Sequence, residues 1–142
     1  MPLTLYQINT DHTASISDSL KVLCKQANNP PDILLLQDAY ISQREHKILK
    51  FGDARVFHKR YIDGRLQPPI PQACGLETAI LVLNNHLRAQ LLLRYCDDNI
   101  TTIEVMCNRD VFVVANVYFR PSLELEEFRQ SLDLLHQLLN DP

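Results

Sequence analysis

Apolar positions in this chain come mostly in short runs, and the clearest run is Ile33-Leu34-Leu35-Leu36, entered at Asp32 and closed by Gln37-Asp38. Such a run reads as a strand buried on both faces or as a core helix segment, and periodicity does not separate the two. Its shortness and Pro30-Pro31 just before it favour a strand, because proline breaks a helix interior. A strand apolar on both faces belongs in a sheet covered on both sides. The Asp38 carboxylate then falls at the C-terminal edge of the strand, where open α/β sheets place ligands and metals.

The other elements follow in order. Leu3 to Ile8 alternates loosely and ends at Asn9, the pattern of a first strand. A helix is predicted from Ser15 to Ala27, with Ile16, Leu20, Leu23 and Ala27 on one face. Strand, helix and strand in so few residues form a βαβ unit or a close variant. A short helix is expected from Ser42 to Leu49 and a short strand over Ala54 to His58. Arg60 to Cys74 reads as a loop, since Gly64, Pro68, Pro69 and Pro71 exclude regular structure. Strands follow at Thr78 to Leu83 and Ala89 to Tyr95. Ile100 to Met106 and Val111 to Tyr118 read as a hairpin across Cys107 to Asp110.

A closing helix is predicted from Leu123 to Leu139, with Ser122 as N-cap and Glu124, Glu126 and Glu127 at the positive end of its dipole. Its buried stripe would be Leu125, Phe128, Leu132, Leu135 and Leu139. The expected fold is α/β: one mixed sheet backed by two main helices. The other sheet face carries apolar alternates, notably over Val111 to Val117, and no layer in this reading covers it. Self-association through that face is the expected consequence.

Composition narrows the class. With 142 residues, 46% of them hydrophobic and 22% charged, the chain is one globular domain or part of one. A net charge of -3 gives no general attraction to nucleic acid, so phosphate binding needs a local patch or a cation. The basic candidates for that patch are Arg55, Lys59, Arg60 and Arg65, which otherwise read as a solvated surface. Cys24, Cys74, Cys96 and Cys107 form no Cys-x-x-Cys pair, and no apolar signal segment follows Met1. They read as reduced thiols in an intracellular protein, nuclear or cytoplasmic. No run approaches the ~18 apolar residues of a membrane span. The five histidines show no metal-ligand spacing and read as surface residues.

Four landmarks in order then carry a resemblance. They are Leu5-Tyr6-Gln7-Ile8-Asn9, Asp32 to Tyr40, Gly75-Leu76-Glu77-Thr78-Ala79-Ile80-Leu81-Val82, and Val113 to Pro121 with its Tyr118-Phe119-Arg120-Pro121 end. Together they resemble the endonuclease/exonuclease/phosphatase superfamily, in particular the N-terminal endonuclease domains of jockey-like non-LTR retrotransposons. The resemblance implies half of a four-layer α/β sandwich, a magnesium cofactor and DNA as partner. It implies Asn9 and Asp38 at the metal and Tyr118 beside the scissile phosphate, with hydrolysis assisted by the cation.

Two departures qualify that expectation. Asp38 stands where the family has Glu, shorter by one methylene, so direct metal ligation becomes harder. The family's later Asp-x-Asn and Asp-His motifs have no counterpart in place. Asp97-Asp98-Asn99 and Asp11-His12 match them only in letters and read as turns. Tyr40 reads as packing. The expected function is therefore that of an endonuclease-derived, inactive N-terminal half, with a half-domain acting by self-association or protein binding as the alternative. A phosphomonoesterase on the same fold fits the Gly75 to Val82 strand and the Tyr118 to Pro121 end less well.

Overall fold

Two β-sheets stand face to face, with one helix on the outside of the first and another docked at the end of the second. This computed structural model describes residues 3–11, 14–26, 30–42, 47–48, 54–62, 65–67 and 75–140. The strands are β1 (Leu5–Asn9), β2 (Ile33–Ser42), β3 (Lys47–Ile48), β4 (Arg55–Phe57), β5 (Tyr61–Ile62), β6 (Arg65–Leu66), β7 (Gly75–Val82), β8 (Arg88–Leu91), β9 (Ile100–Cys107) and β10 (Asp110–Val117). The helices are α1 (Ala14–Gln26) and α2 (Leu125–Asn140). The first sheet runs β1-β2-β7-β4, with β3 paired to the end of β2; the second runs β10-β9-β8; β5 and β6 pair separately. β1 and β2 are parallel with α1 between them, the βαβ unit the sequence implies.

The class is α/β, and the sequence expectation of a single sheet is what changes. β8, β9 and β10 leave the first sheet and form a second one, which supplies the layer missing from the sequence reading. Two cores result. Leu34, Leu36, Ala39, Ile41, Leu76, Ala79 and Leu81 pack with Leu20 and Cys24 of α1. Ile33, Ile80 and Val82 pack with Leu87, Ile103 and Val105 between the sheets. β2 is apolar on both faces because it borders both cores. Ile103 and Val105 of β9 turn toward Ile33, Ile80 and Val82 while Glu104 and Met106 stay half-exposed or exposed, so this end of β9 packs one face on the first sheet.

Polar groups also join the sheets. Asn116 Nδ2 donates to the Leu36 and Ala79 carbonyls at 2.8 and 3.0 Å. The Thr78 and Thr101 hydroxyls meet at 2.8 Å, and Gln37 Nε2 donates to the Val117 carbonyl at 2.9 Å. These bonds satisfy buried groups and set how the two sheets slide against each other.

Several local expectations shift. Lys47–Ile48 pairs as a strand with the end of β2, in place of the helix expected from Ser42 to Leu49. Tyr61–Ile62 and Arg65–Leu66 pair within the stretch read as loop. The strand expected to reach Tyr95 stops at Leu91, and a 3-10 turn follows at Leu93–Tyr95. α2 starts at Leu125 because Leu123 N–H bonds the Arg120 carbonyl and Phe128 N–H bonds the Glu124 carbonyl; Ser122 lies in the preceding turn.

The expected buried stripe of α2 also rotates. Leu125, Leu132 and Leu139 are exposed, whereas Ser131 is buried and bonds Asp97 Oδ2 at 2.6 Å and Asn99 Nδ2 at 3.2 Å. α2 therefore docks on the turn before β9 and does not back the first sheet. Phe128 meets Phe119 edge-on, with ring centroids 4.9 Å apart. In α1, Leu20 and Cys24 point inward and Leu23 is exposed.

Candidate functional site

β2 and β7 change faces at a single step. Leu34 and Leu36 lie on the helix side; after Asp38 the parity inverts, and Ala39 and Ile41 take that side. β7 inverts at Glu77, since Ala79 and Leu81 share the helix side with Leu76. The register passes from Gln37↔Thr78 to Ala39↔Leu76, which leaves Asp38 opposite Glu77. Asp38 has φ of 48°, the left-handed region that a residue with a Cβ seldom occupies within a strand. Both strands take the twist together, so pairing resumes without a slip. The effect resembles a bulge, a device that re-aims side chains at sheet edges and functional sites.

The backbone around Asp38 is pinned from β1. Thr10 is fully buried; its N–H donates to the Gln37 carbonyl at 2.9 Å and its hydroxyl to the Asp38 carbonyl at 2.7 Å. Asn9, at the end of β1, accepts the Asp11 N–H on Oδ1 at 2.8 Å. That bond orients the amide. The Tyr118 hydroxyl, just past β10, hydrogen-bonds both Asp38 and Asn9. Tyr118 is itself held by its N–H to the Asn99 carbonyl at 3.0 Å. Burial raises the tyrosine pKa first, then the Asp38 charge and hydrogen bond; the Asn9 bond opposes them and the Asp11 charge adds to them. The phenol is thus a firmly protonated donor aimed at a carboxylate.

The structure brings together Asn9, Asp38 and Tyr118, three residues far apart in sequence. It does not bring Arg55 to them. Arg55 pairs with Val82, five positions along the ladder from Asp38, roughly 16 Å away at the rise of a strand. Its Nη2 donates to the Asn84 and Leu87 carbonyls. Lys59 and Arg60 follow β4 toward the Asp38 edge, and Lys59 pairs with Asp98 at 2.7 Å. That bond holds the Asp98 carboxyl below its usual range. Arg65 lies in the small β5–β6 ladder; its side chain is outside the described residues.

Among the histidines, His58 departs from the surface expectation. It is buried, its Nδ1 accepts the Arg60 N–H at 3.1 Å, and burial with the charges of Arg60 and Lys59 lowers its pKa to about 4. It is a neutral structural imidazole. Asp97 and Asn99 form a turn, as expected, with the Asn99 N–H on Asp97 Oδ1 at 2.8 Å. His12, His46 and Cys74 lie outside the described residues.

The sequence reading missed Glu77 and Arg120, which form an ion pair of 3.2 Å beside the set. Both stood within the quoted motifs, but only the register puts Glu77 across from Asp38. Beside Tyr118 stand the Asp38 carboxylate and the Asn9 amide, whose Oδ1 accepts the Asp11 N–H; carboxylate and amide oxygens are the ligand type of a hard divalent cation. Among the described residues no three His, Cys, Asp or Glu side chains gather at one point. Magnesium held by one or two protein oxygens and several waters needs no such cluster, so the residues fit that sparse mode.

The fold is an α/β one, two sheets face to face with helices outside, and a solved structure shares it. A solved structure of the endonuclease domain of TRAS1, a telomere-specific non-LTR retrotransposon, matches with a TM-score of 0.64 at 16% identity. The match covers 98% of this chain and 54% of that one, so the chain spans about half the length of the domain it resembles. No protein-family model and no curated protein matches the sequence. Among the described residues no helix is long and apolar enough to cross a membrane.

Proposed function

We propose that this chain carries the N-terminal part of a metal-dependent phosphodiesterase site of the retrotransposon endonuclease kind, with DNA as substrate class. The carrying observation is the hydrogen-bonded set of Asn9, Tyr118 and Asp38 at one edge of two facing sheets. The likeness of fold to a non-LTR retrotransposon endonuclease domain supports it. The finer affinity to jockey-like elements rests on the Gly75 to Val82 and Tyr118 to Pro121 motifs, which also favour an endonuclease over a phosphomonoesterase.

In this reading Asp38 and Asn9 would hold a magnesium ion. The cation, when bound, neutralises phosphate charge and acidifies water. Tyr118 presents its hydroxyl proton to a phosphate oxygen, and Asn9 orients that hydroxyl. Lys59 and Arg60 track the DNA backbone along the same edge. Among the described residues the set holds a carboxylate, an amide and a phenol and no imidazole to take a proton from water. In this reading the chain binds a phosphodiester without turning it over.

A binding assay with a labelled duplex, with and without magnesium, tests this beside a plasmid-nicking assay. Magnesium-dependent binding that Asp38→Ala weakens at least tenfold, without nicking, is the expected result. Binding indifferent to magnesium and to Asp38 removes the metal site from the account; nicking abolished by Asp38→Ala removes the inactivity.

A second reading, self-association, has its own observation. The second sheet covers the apolar face of the first, but of the apolar alternates expected over Val111 to Val117 the first ones, Val111 and Val113, stay exposed, as do Leu125, Leu132 and Leu139 on α2. Sedimentation of the wild type against Leu132→Lys/Leu139→Lys tests it. A monomer at tens of micromolar in both removes this reading.

A further inference from the structure

Arg120 is placed where it can reach the same edge as the Asn9–Tyr118–Asp38 set. It follows Tyr118 by two residues, and its Nη1 meets Glu77 Oε1 at 3.2 Å. Glu77 stands opposite Asp38 at the step where both strands change faces. Two carboxylates directly opposite each other repel, and a guanidinium on one of them relieves that repulsion. The pair is made through one guanidinium nitrogen, Nη1, and among the described residues the guanidinium makes no other hydrogen bond. Half of the Arg120 side chain is exposed (50%) against 21% for Glu77, so the acid is anchored in the wall and the cation faces outward.

A guanidinium has five donors in a fork that suits phosphate oxygens, and one donor on Glu77 leaves the rest of the fork for an anion. The site otherwise carries the charges of Asp38 and Asp11, both felt at Tyr118. An anionic substrate arriving there meets net negative charge until cations offset it.

We infer that Arg120 is a phosphate-contacting residue, presented by Glu77, that grips the DNA backbone next to the phosphate facing Tyr118. The inference rests on the phosphodiesterase reading above. Glu77 is a positioning residue: it sets where the guanidinium stands and keeps it off Asp38. An isolated surface ion pair contributes little to stability, so the pair's main effect falls on binding.

The test measures duplex binding by fluorescence anisotropy in magnesium at a series of salt concentrations, for the wild type, Arg120→Ala, Arg120→Lys, Glu77→Gln and Asp38→Ala. Arg120→Ala is expected to weaken binding about tenfold and to lower the slope of log affinity on log salt by about one, the mark of one lost phosphate contact. Arg120→Lys should keep the slope with a smaller loss, because the charge remains while the fork is gone. Glu77→Gln should weaken binding by less than Arg120→Ala and leave the salt slope unchanged, because the guanidinium keeps its charge and loses only its hold.

Unchanged affinity and slope in Arg120→Ala, with Asp38→Ala still weakening binding, overturns the role of Arg120 and leaves the phosphodiesterase reading standing. Equal losses of unfolding midpoint in Arg120→Ala and Glu77→Gln, without a change of slope, make the pair structural and also overturn it. Absence of magnesium-dependent binding in the wild type overturns both.

Discussion

Asp38 stands opposite Glu77 in the β2–β7 ladder, at the step where both strands exchange their buried faces. One carboxylate bonds Tyr118 and the other bonds Arg120. The backbone at Asp38 holds φ of 48°, and Thr10 ties its carbonyl to the end of β1. The candidate site is thus built on a deliberate irregularity in a central strand.

That irregularity has a stability signature. Asp38→Asn keeps a side chain that tolerates the left-handed region and should change stability by no more than about 0.5 kcal/mol. Asp38→Val, β-branched, should cost about 1–3 kcal/mol. Urea unfolding midpoints separate the two, and matching midpoints would show that residue 38 is not held at this φ.

Tyr118 should titrate late. Its pKa is raised by burial and then by Asp38, so Asp38→Asn should lower it, and Asn9→Ala, which removes the opposing bond, should raise it further. Because the folded value exceeds the unfolded one, this tyrosine's contribution to stability is full below about pH 10 and is lost as pH rises through the folded value. Ultraviolet difference titration, with Tyr118→Phe subtracted, reads both shifts. No movement in Asp38→Asn would break the link between the two residues.

His58 predicts behaviour in mild acid. Its folded pKa is lowered to about 4, first by burial and then by Arg60 and Lys59. The unfolded chain binds the proton more readily, so the stabilisation is full above about pH 6.5 and is lost as pH falls toward 4, on the order of 3 kcal/mol in all. The depressed carboxyl of Asp98 acts in a lower window, below its ordinary value of 3.8. Unfolding free energy between pH 4 and 7 should show this slope in the wild type and a flatter one in His58→Gln. Parallel slopes would assign the acid sensitivity to another group.

The sheet-to-sheet polar contacts give a paired prediction. Asn116→Ala strands the Leu36 and Ala79 carbonyls in a buried interface and should cost roughly 2–4 kcal/mol. Thr78→Val or Thr101→Val alone should cost roughly 1–2 kcal/mol, and the double change should recover part of the loss because both hydroxyls leave together. Additive losses in that double-mutant cycle would mean the hydroxyls do not act as a pair.

Much of the architecture was written locally. The four apolar residues Ile33 to Leu36 bounded by Pro30-Pro31 and Asp38 imply a doubly buried strand, and β2 is one, between two cores. The hairpin over Ile100 to Tyr118 and the helix before Pro30 follow from period and turn chemistry, which act between neighbours in sequence. Asp38 was legible as a candidate because the apolar run ends there, although β2 continues past it to Ser42; Asn9 and Tyr118 became candidates through the resemblance. Their meeting was implied by resemblance alone, with no pattern of spacing behind it.

Tertiary structure decided what depends on which face meets which. β8, β9 and β10 form a sheet of their own because Ile103 and Val105 find Ile80 and Val82 across a shared core, a choice no local period contains. Part of the expected α2 stripe, Leu125, Leu132 and Leu139, stays exposed while α2 docks through buried Ser131 on Asp97 and Asn99, partners that lie more than thirty residues away in sequence. Glu77 reached Arg120, forty-three residues on, through register. Sequence dictates the strands and the residues at their ends, because period and turns are short-range. The sheet-on-sheet packing decides which ends share a site, because that depends on contacts between residues distant in the chain.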